Sequence, residues 1–269
     1  MKKFSIVMAK RLKPVELFLA VGLATTVAAC GGPAADGGEG ADDEGVTVTE
    51  LESEAEGGEG GEGGEGGEGG EGGGEYSEGE QANADFEDKL SDAELLAALK
   101  EGGHVIYFRH AQTETDYADQ ADPNMSLDDC DTQRKLSDVG LQQSEDIGAA
   151  FTELEIPVGD VISSDYCRAW QTAEIAFGRY EKDSSLNFLP FEEYTDAQVE
   201  EMKANVMPLL TAVPAEGQNT VIVGHDDIFE AATGIYPAPQ GLAYVLTPDG
   251  NGGFELVANL LPEEWAALQ

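Results

Sequence analysis

From residue 91 onward the apolar positions alternate between helical spacing and short unbroken runs. "SDAELLAALKE" opens on Ser91, a capping residue, spaces its leucines and alanines helically and stops at "GG", which predicts a helix over 91–101. "HVIYF" follows as a continuous β-branched and aromatic run, the pattern of a strand covered on both faces. A long acidic loop with Pro and Asn leads to about Lys135. "LSDVGLQQSEDIGAAFTEL" then reads as a helix with Leu141, Ile147, Phe151 and Leu154 on one face, "DVISS" as a strand, and "DYCRAWQTAEIAFG" as a helix stopped by Gly178. A strand candidate at Leu186–Leu189 precedes the helix "TDAQVEEMKANVMPLLTAV", and "NTVIVGH" is a second strongly buried strand. "DDIFEAATG" gives a short helix. "GLAYVLTP" and "GFELVANL" form an antiparallel pair about the "DGNGG" turn. Strands alternating with helices predict an α/β fold, a three-layer α/β/α sandwich on a mostly parallel sheet, in which sites form outside the carboxyl ends of strands.

The segment before residue 91 is of another kind. Five basic residues between Lys2 and Lys13 precede a mostly apolar run from Leu17 to Ala29 ending in small residues, the order of a secretory signal and too short for a spanning helix. It closes on "VAAC", which resembles the lipobox of bacterial lipoproteins. Cys30 is therefore expected to be lipidated as the mature N-terminus of an exported, envelope-tethered protein, with Gly31 after it favouring the outer membrane. Residues 30–85 are Gly, Glu, Asp and Ala with almost no large apolar side chains, including "GGEGGEGGEGGEGGEGGG" from Gly57. Such a stretch buries too little surface to offset its ordering entropy, so a disordered linker is expected, spanning about 40 Å as a flexible chain.

The remaining 86–269 are 184 residues, enough for one domain with a full core. The whole chain carries a formal net charge of −40, and this part holds nine basic against 35 acidic residues. That balance excludes nucleic acid and anionic membrane surfaces as partners, leaving the lipidated N-terminus as the membrane contact. Only four of the nine cations are arginines, at 109, 134, 168 and 179, so where they fall is informative.

Three segments carry chemistry: "FRHAQT" ending the first strand, "SSDYCRAWQTA" at a strand-to-helix junction, and "VIVGHDD" ending a later strand. Together, over about residues 100–260, they resemble the histidine phosphatase superfamily, which includes phosphoglycerate mutases and acid phosphatases. The resemblance implies a phosphoglycerate mutase-like fold, no cofactor and no metal. It implies that His110 is the nucleophile, that Arg109 and Arg168 clamp the phosphoryl oxygens, and that His225 donates to the same group. Each role is chemically sound: a neutral imidazole can attack phosphorus, and guanidinium groups bind phosphate by charge-assisted, often bidentate bonds. Thr113 matches the family's hydroxyl residue and is expected to donate to phosphate, while Arg134 in "QRKLSDVG" is a further candidate for the pocket. The general acid stays open between Asp226, which copies the His-Asp pair of one branch and is favoured, Glu193 or Glu192, at the spacing of the other, and no dedicated acid. Ala111 replaces the common glycine of the family motif, a small change, whereas Gln112 and Asp116 depart from mutase-like members and argue against a mutase pocket.

The bland readings are also specific. His104 has no motif and is expected to be structural. Trp170, Phe177 and Phe151 are expected in the core rather than under a substrate. Neither Cys130 nor Cys167 has an arginine six residues on, so the cysteine-phosphatase signature is absent. With Cys30 lipidated in an oxidising compartment, a Cys130–Cys167 disulfide is the simplest expectation. The sum is a phosphomonoester hydrolase acting on an extracytoplasmic small-molecule phosphate ester. The alternatives are a catalytically silent phosphate- or phosphosugar-binding lipoprotein and, less favoured, a phosphomutase.

Overall fold

The structure, a computed structural model, describes residues 76–268 apart from 116–118, 120–121 and 192. The signal at 1–29, Cys30, most of the 30–85 linker, Asp116 and Glu192 lie outside the described residues. Helices α1 (Glu78–Ala84) and α2 (Asp92–Glu101) lead into β1 (Val105–Arg109). After the acidic loop come α3 (Asp138–Glu153), β2 (Val158–Ser163), α4 (Cys167–Phe177) and the two-residue β3 (Glu181–Lys182). The chain closes with α5 (Asp196–Leu210), β4 (Asn219–Gly224), α6 (Asp226–Thr233), β5 (Ala243–Pro248) and β6 (Phe254–Leu260). Among the described residues no helix is long and apolar enough to cross a membrane.

The six strands form one sheet in the order β3-β2-β4-β1-β5-β6. β3, β2, β4 and β1 pair in parallel, and β5 runs antiparallel to both β1 and β6. Its two faces are covered by different helices, and the alternation of side chains along β1 shows how. Ile106 and Phe108 pack with Leu95 and Leu99 of α2, Ile147 and Phe151 of α3, Ala169 and Ala173 of α4, and Trp265. Val105 and Tyr107 pack on the other face with Met202, Val206 and Leu210 of α5 and Ile228 and Phe229 of α6. The predicted three-layer sandwich is therefore present. All five β1 residues are buried, which is why its sequence is unbroken apolar up to the arginine.

Four details differ from the sequence reading. The ordered domain begins before Phe86: Ser77 and Glu80 form a reciprocal capping box that starts α1 inside the stretch expected to be disordered. The strand expected at Leu186–Leu189 is absent; the Asp183 side chain accepts from Ser185 N at 2.8 Å and turns the chain into a 3-10 turn, Ser184–Leu186, beside β3. Leu141 is exposed, because the inward face of α3 is Gly140, Ser144, Ile147 and Phe151. Phe151 and Phe177 join the aromatic core as expected, but Trp170 stacks on Tyr180 at a partly exposed rim, with Lys182 Nζ 5.1 Å from its ring centre.

One buried amide ties three elements together at the base of the sheet. Asn219 is fully buried; its Nδ2 donates to Leu99 O at 2.7 Å and Pro157 O at 3.0 Å, and its Oδ1 accepts from His104 N at 3.2 Å. Truncation leaves those buried groups without their partner, at about 1–3 kcal/mol for each unsatisfied group. Asn219→Ala should lower unfolding free energy by about 2–4 kcal/mol in urea titrations; a change below about 1 kcal/mol would show the amide to be dispensable.

Candidate active site

β1 and β4 lie side by side in parallel, with Arg109 opposite Gly224 in the register. Each strand therefore delivers its next residue, His110 or His225, to the same carboxyl edge of the sheet. The two imidazole rings meet edge to face with centres 5.4 Å apart. Gly224 makes the approach possible. A Cβ there would lie 2.3 Å from the Tyr107 hydroxyl, which donates to His225 O at 2.7 Å and accepts from His225 N at 2.9 Å.

The protonation of each ring follows from its partners. His110 is buried, and its Nδ1 lies 2.8 Å from Ala111 O. A carbonyl only accepts, so Nδ1 carries the hydrogen and Nε2 keeps a lone pair. Burial first, then the charges of Arg168 and Arg109 and the neighbouring His225, hold His110 well below the usual histidine range. His225 is also held well below the usual histidine range, by burial first and then by the charge of Arg168. Its Nε2 lies 2.7 Å from Ser164 Oγ, which already accepts from Tyr166 N at 3.1 Å. With the serine hydrogen given to Nε2, His225 Nδ1 is the donor, and this buried atom has no hydrogen-bond partner among the described residues.

Both guanidinium groups are anchored at their forked ends. Arg109 Nη1 donates to Pro237 O at 3.2 Å, and its Nη2 to Tyr236 Oη at 3.3 Å and Asp226 Oδ2 at 2.7 Å. Arg168 Nη1 donates to Asp119 Oδ2 at 2.8 Å, and its guanidinium lies over the Tyr166 and Phe188 rings. Among the described residues the buried Nε atoms of both arginines and His225 Nδ1 have no hydrogen-bond partner. All three belong to side chains that act on His110 through their charge or ring, a donor set suited to an oxyanion.

The sequence-predicted residues thus separate. Arg109, His110, Arg168 and His225 come together. Arg134 is near enough for its charge to act on Arg168 and His225, and its backbone N–H donates to Asp119 Oδ2 at 2.7 Å. Thr113 requires correction as a phosphate donor: its hydroxyl donates to Gln240 Oε1 at 3.2 Å, which also takes its backbone N–H at 2.7 Å. Asp226, the favoured candidate for the general acid, pairs with Arg109: burial works to raise its pKa, but the Arg109 guanidinium and a Tyr236 hydrogen bond lower it to about 2, which favours its ionised form. Glu193 is exposed. His104 is structural, with Nδ1 3.0 Å from Thr247 Oγ1.

Cys130 and Cys167 are joined by a disulfide one residue before Arg168. Tyr166, at the N-terminal cap of α4, offers no side-chain bond, and Gln133 Oε1 instead accepts from Cys167 N at 2.8 Å. Gln133, Asp119, Ser164 and Tyr236 were missed from sequence, since a lone amide, acid or hydroxyl in a loop carries no spacing signal. Among the described residues no cluster of three or more His, Cys, Asp or Glu could hold a metal ion.

Residues 105–220 match the model of the histidine phosphatase superfamily, branch 1, which supports a domain of that superfamily. Similar solved structures include the protein histidine phosphatase SixA complexed with tungstate, at 16% identity over 60% of this chain and 98% of that chain, with a TM-score of 0.44. Another is a mutant phosphoserine phosphatase from Entamoeba histolytica with phosphoserine, at 14% identity, 58% and 95% coverage and a TM-score of 0.43. A third is a mycobacterial glucosyl-3-phosphoglycerate phosphatase with VO3, at 16% identity, 58% and 97% coverage and a TM-score of 0.41. No curated protein matches the chain.

The low histidine pKa values couple the site to stability. An unfolded chain protonates both histidines below about pH 6.5, whereas the folded chain holds them neutral. Stability is therefore full above about 6.5 and falls with pH below it, by up to about 1.4 kcal/mol per pH unit for each histidine. Asp227, pushed up to about 7 by burial and by Asp226, acts in the opposite sense, since the folded chain keeps a proton there that the unfolded chain releases above 3.8. Comparison with His110→Asn isolates one histidine. Between pH 6.5 and 5, wild-type stability should fall more steeply than the variant's by about 1 kcal/mol per pH unit, measured by urea unfolding; parallel slopes would mean that His110 is not held neutral.

Proposed function

We propose that this chain is a phosphomonoester hydrolase of the histidine phosphatase superfamily that forms a phosphohistidine on His110. The observation that carries the reading is the buried His110 imidazole, its Nδ1 committed to Ala111 O, on which Arg168, His225 and Arg109 all act. His110 Nε2 attacks phosphorus as the bond to the leaving oxygen breaks. The Arg109 and Arg168 Nε–H groups and His225 Nδ1–H hold the equatorial oxygens. A water molecule then attacks the phosphohistidine, releasing phosphate and restoring the imidazole. We assign proton transfer to Asp227 in the first turn of α6, whose carboxyl is near enough for its charge to act on Arg109 and Tyr166 and is pushed up to about 7 by burial and by Asp226. It protonates the leaving oxygen and recovers a proton from the attacking water.

Export and a lipid anchor at Cys30 belong to the same proposal. They are supported by the basic, apolar and small-residue order of residues 2–30 and by a disulfide of the kind that persists in oxidising compartments. The substrate is then an extracytoplasmic phosphate ester.

Wild-type protein should hydrolyse p-nitrophenyl phosphate in EDTA, and acid-labile phosphate should be trapped on His110 after a rapid alkaline quench. His110→Ala should abolish both. Phosphate binding without turnover in wild type would identify a binding protein instead.

The acid has its own signature. Asp227→Asn should lower kcat about 10²-fold on alkyl phosphates, whose leaving groups need a proton, and much less on p-nitrophenyl phosphate. An equal loss on both substrates would remove Asp227 from that role.

A further inference from the structure

Helix α1 lies outside the residues matched to the family and directly follows the Gly/Glu tract, yet it is bonded to the segment that holds Arg109. Tyr236 donates its backbone N–H to Gly79 O at 3.0 Å, and Asn83 Nδ2 donates to Ala238 O at 2.9 Å. These two bonds bracket Pro237, whose carbonyl accepts from Arg109 Nη1, while the Tyr236 hydroxyl accepts from Nη2. The segment is neither helix nor strand, so it has no ladder of its own to fix it. Gly79 permits the contact: a Cβ there would lie 1.9 Å from Glu230 Oε1 and 3.2 Å from Tyr236 Cβ.

The same helix also reaches the support of the second histidine. Asn83 Oδ1 accepts from Tyr244 Oη at 2.7 Å, and Phe86 packs edge-on against the Tyr244 ring at 5.1 Å. Tyr244 stacks on Phe229 at 5.0 Å, and Phe229 lies 4.7 Å from Tyr107, the residue whose hydroxyl holds the His225 backbone.

We propose that α1 positions the active site, with Gly79 and Asn83 fixing the Tyr236–Ala238 segment and, through it, the guanidinium of Arg109. The inference rests on the phosphatase reading, because it assigns α1 to the clamp that reading requires. Gly79 and Asn83 are positioning residues and touch no substrate. A clamp must be held to about 0.5 Å to act, and a displacement of 1 Å can cost about 10²-fold in rate.

The test uses the full chain and inorganic phosphate as the probe. Binding is measured by calorimetry far below the melting midpoint, where a merely structural role leaves affinity unchanged. Asn83→Ala should weaken phosphate binding about tenfold and lower kcat/KM on p-nitrophenyl phosphate by a similar factor. Gln81→Ala, on the exposed face of α1 and bonded to Asp85 of the same turn, should change neither. If Asn83→Ala does not fold, Gly79→Ala carries the measurement, with the same direction expected. A folded variant that binds phosphate as tightly as wild type overturns the positioning role alone. A wild-type chain that neither binds phosphate nor turns over the ester overturns the phosphatase reading, and the positioning role with it.

Discussion

Two buried guanidinium groups that both act on His110 need counter-charge, and the site is organised around supplying it. Taking each ion out of water costs several kcal/mol unless it is paired and bonded. Asp226 meets Arg109 and Asp119 meets Arg168, each at one end of the fork, so the arginines are neutralised from behind and keep their Nε–H groups for the interior. The pairing favours the ionised form of Asp226, which an arginine and a tyrosine hydroxyl hold. Burial and that same negative charge push its neighbour Asp227 up to about 7.

The fold makes this possible through adjacency rather than sequence proximity. β1 and β4 lie 115 positions apart from Val105 to Thr220, yet their parallel register is what lets two histidines share one edge. Tyr107 is the hinge between packing and chemistry: its ring lies in the core with Phe229, and its hydroxyl binds both backbone groups of His225. A glycine at 224 follows from that bond, so "VGH" records a packing requirement as much as a catalytic one.

The sandwich and the Arg109, His110, Arg168 and His225 constellation were legible in the sequence because each lies on a strongly patterned element. "VIYFRH" and "VIVGH" are buried apolar strands that run out onto Arg109 and His110 and onto Gly224 and His225. The supports were not legible. Asp119 sits in an acidic loop where any of several carboxylates would read alike, and Ser164 differs from the adjacent Ser163 only in facing His225. Helix α1 was hidden by composition. "EGEQANA" has no apolar face to detect, and its fixed position comes from a capping box, a buried glycine and one asparagine rather than from a hydrophobic stripe.

Burial also decides what the imidazoles can do. Protonating either ring would add positive charge beside Arg168 and Arg109, and desolvation together with those guanidinium groups opposes it. The force that depresses the histidine pKa is therefore the one that exposes a lone pair on His110. In a domain of nine basic and 35 acidic residues, little positive charge lies elsewhere. On the proposed reading one arrangement would serve two ends: the arginines that would meet a phosphate also keep the His110 nitrogen free of a proton.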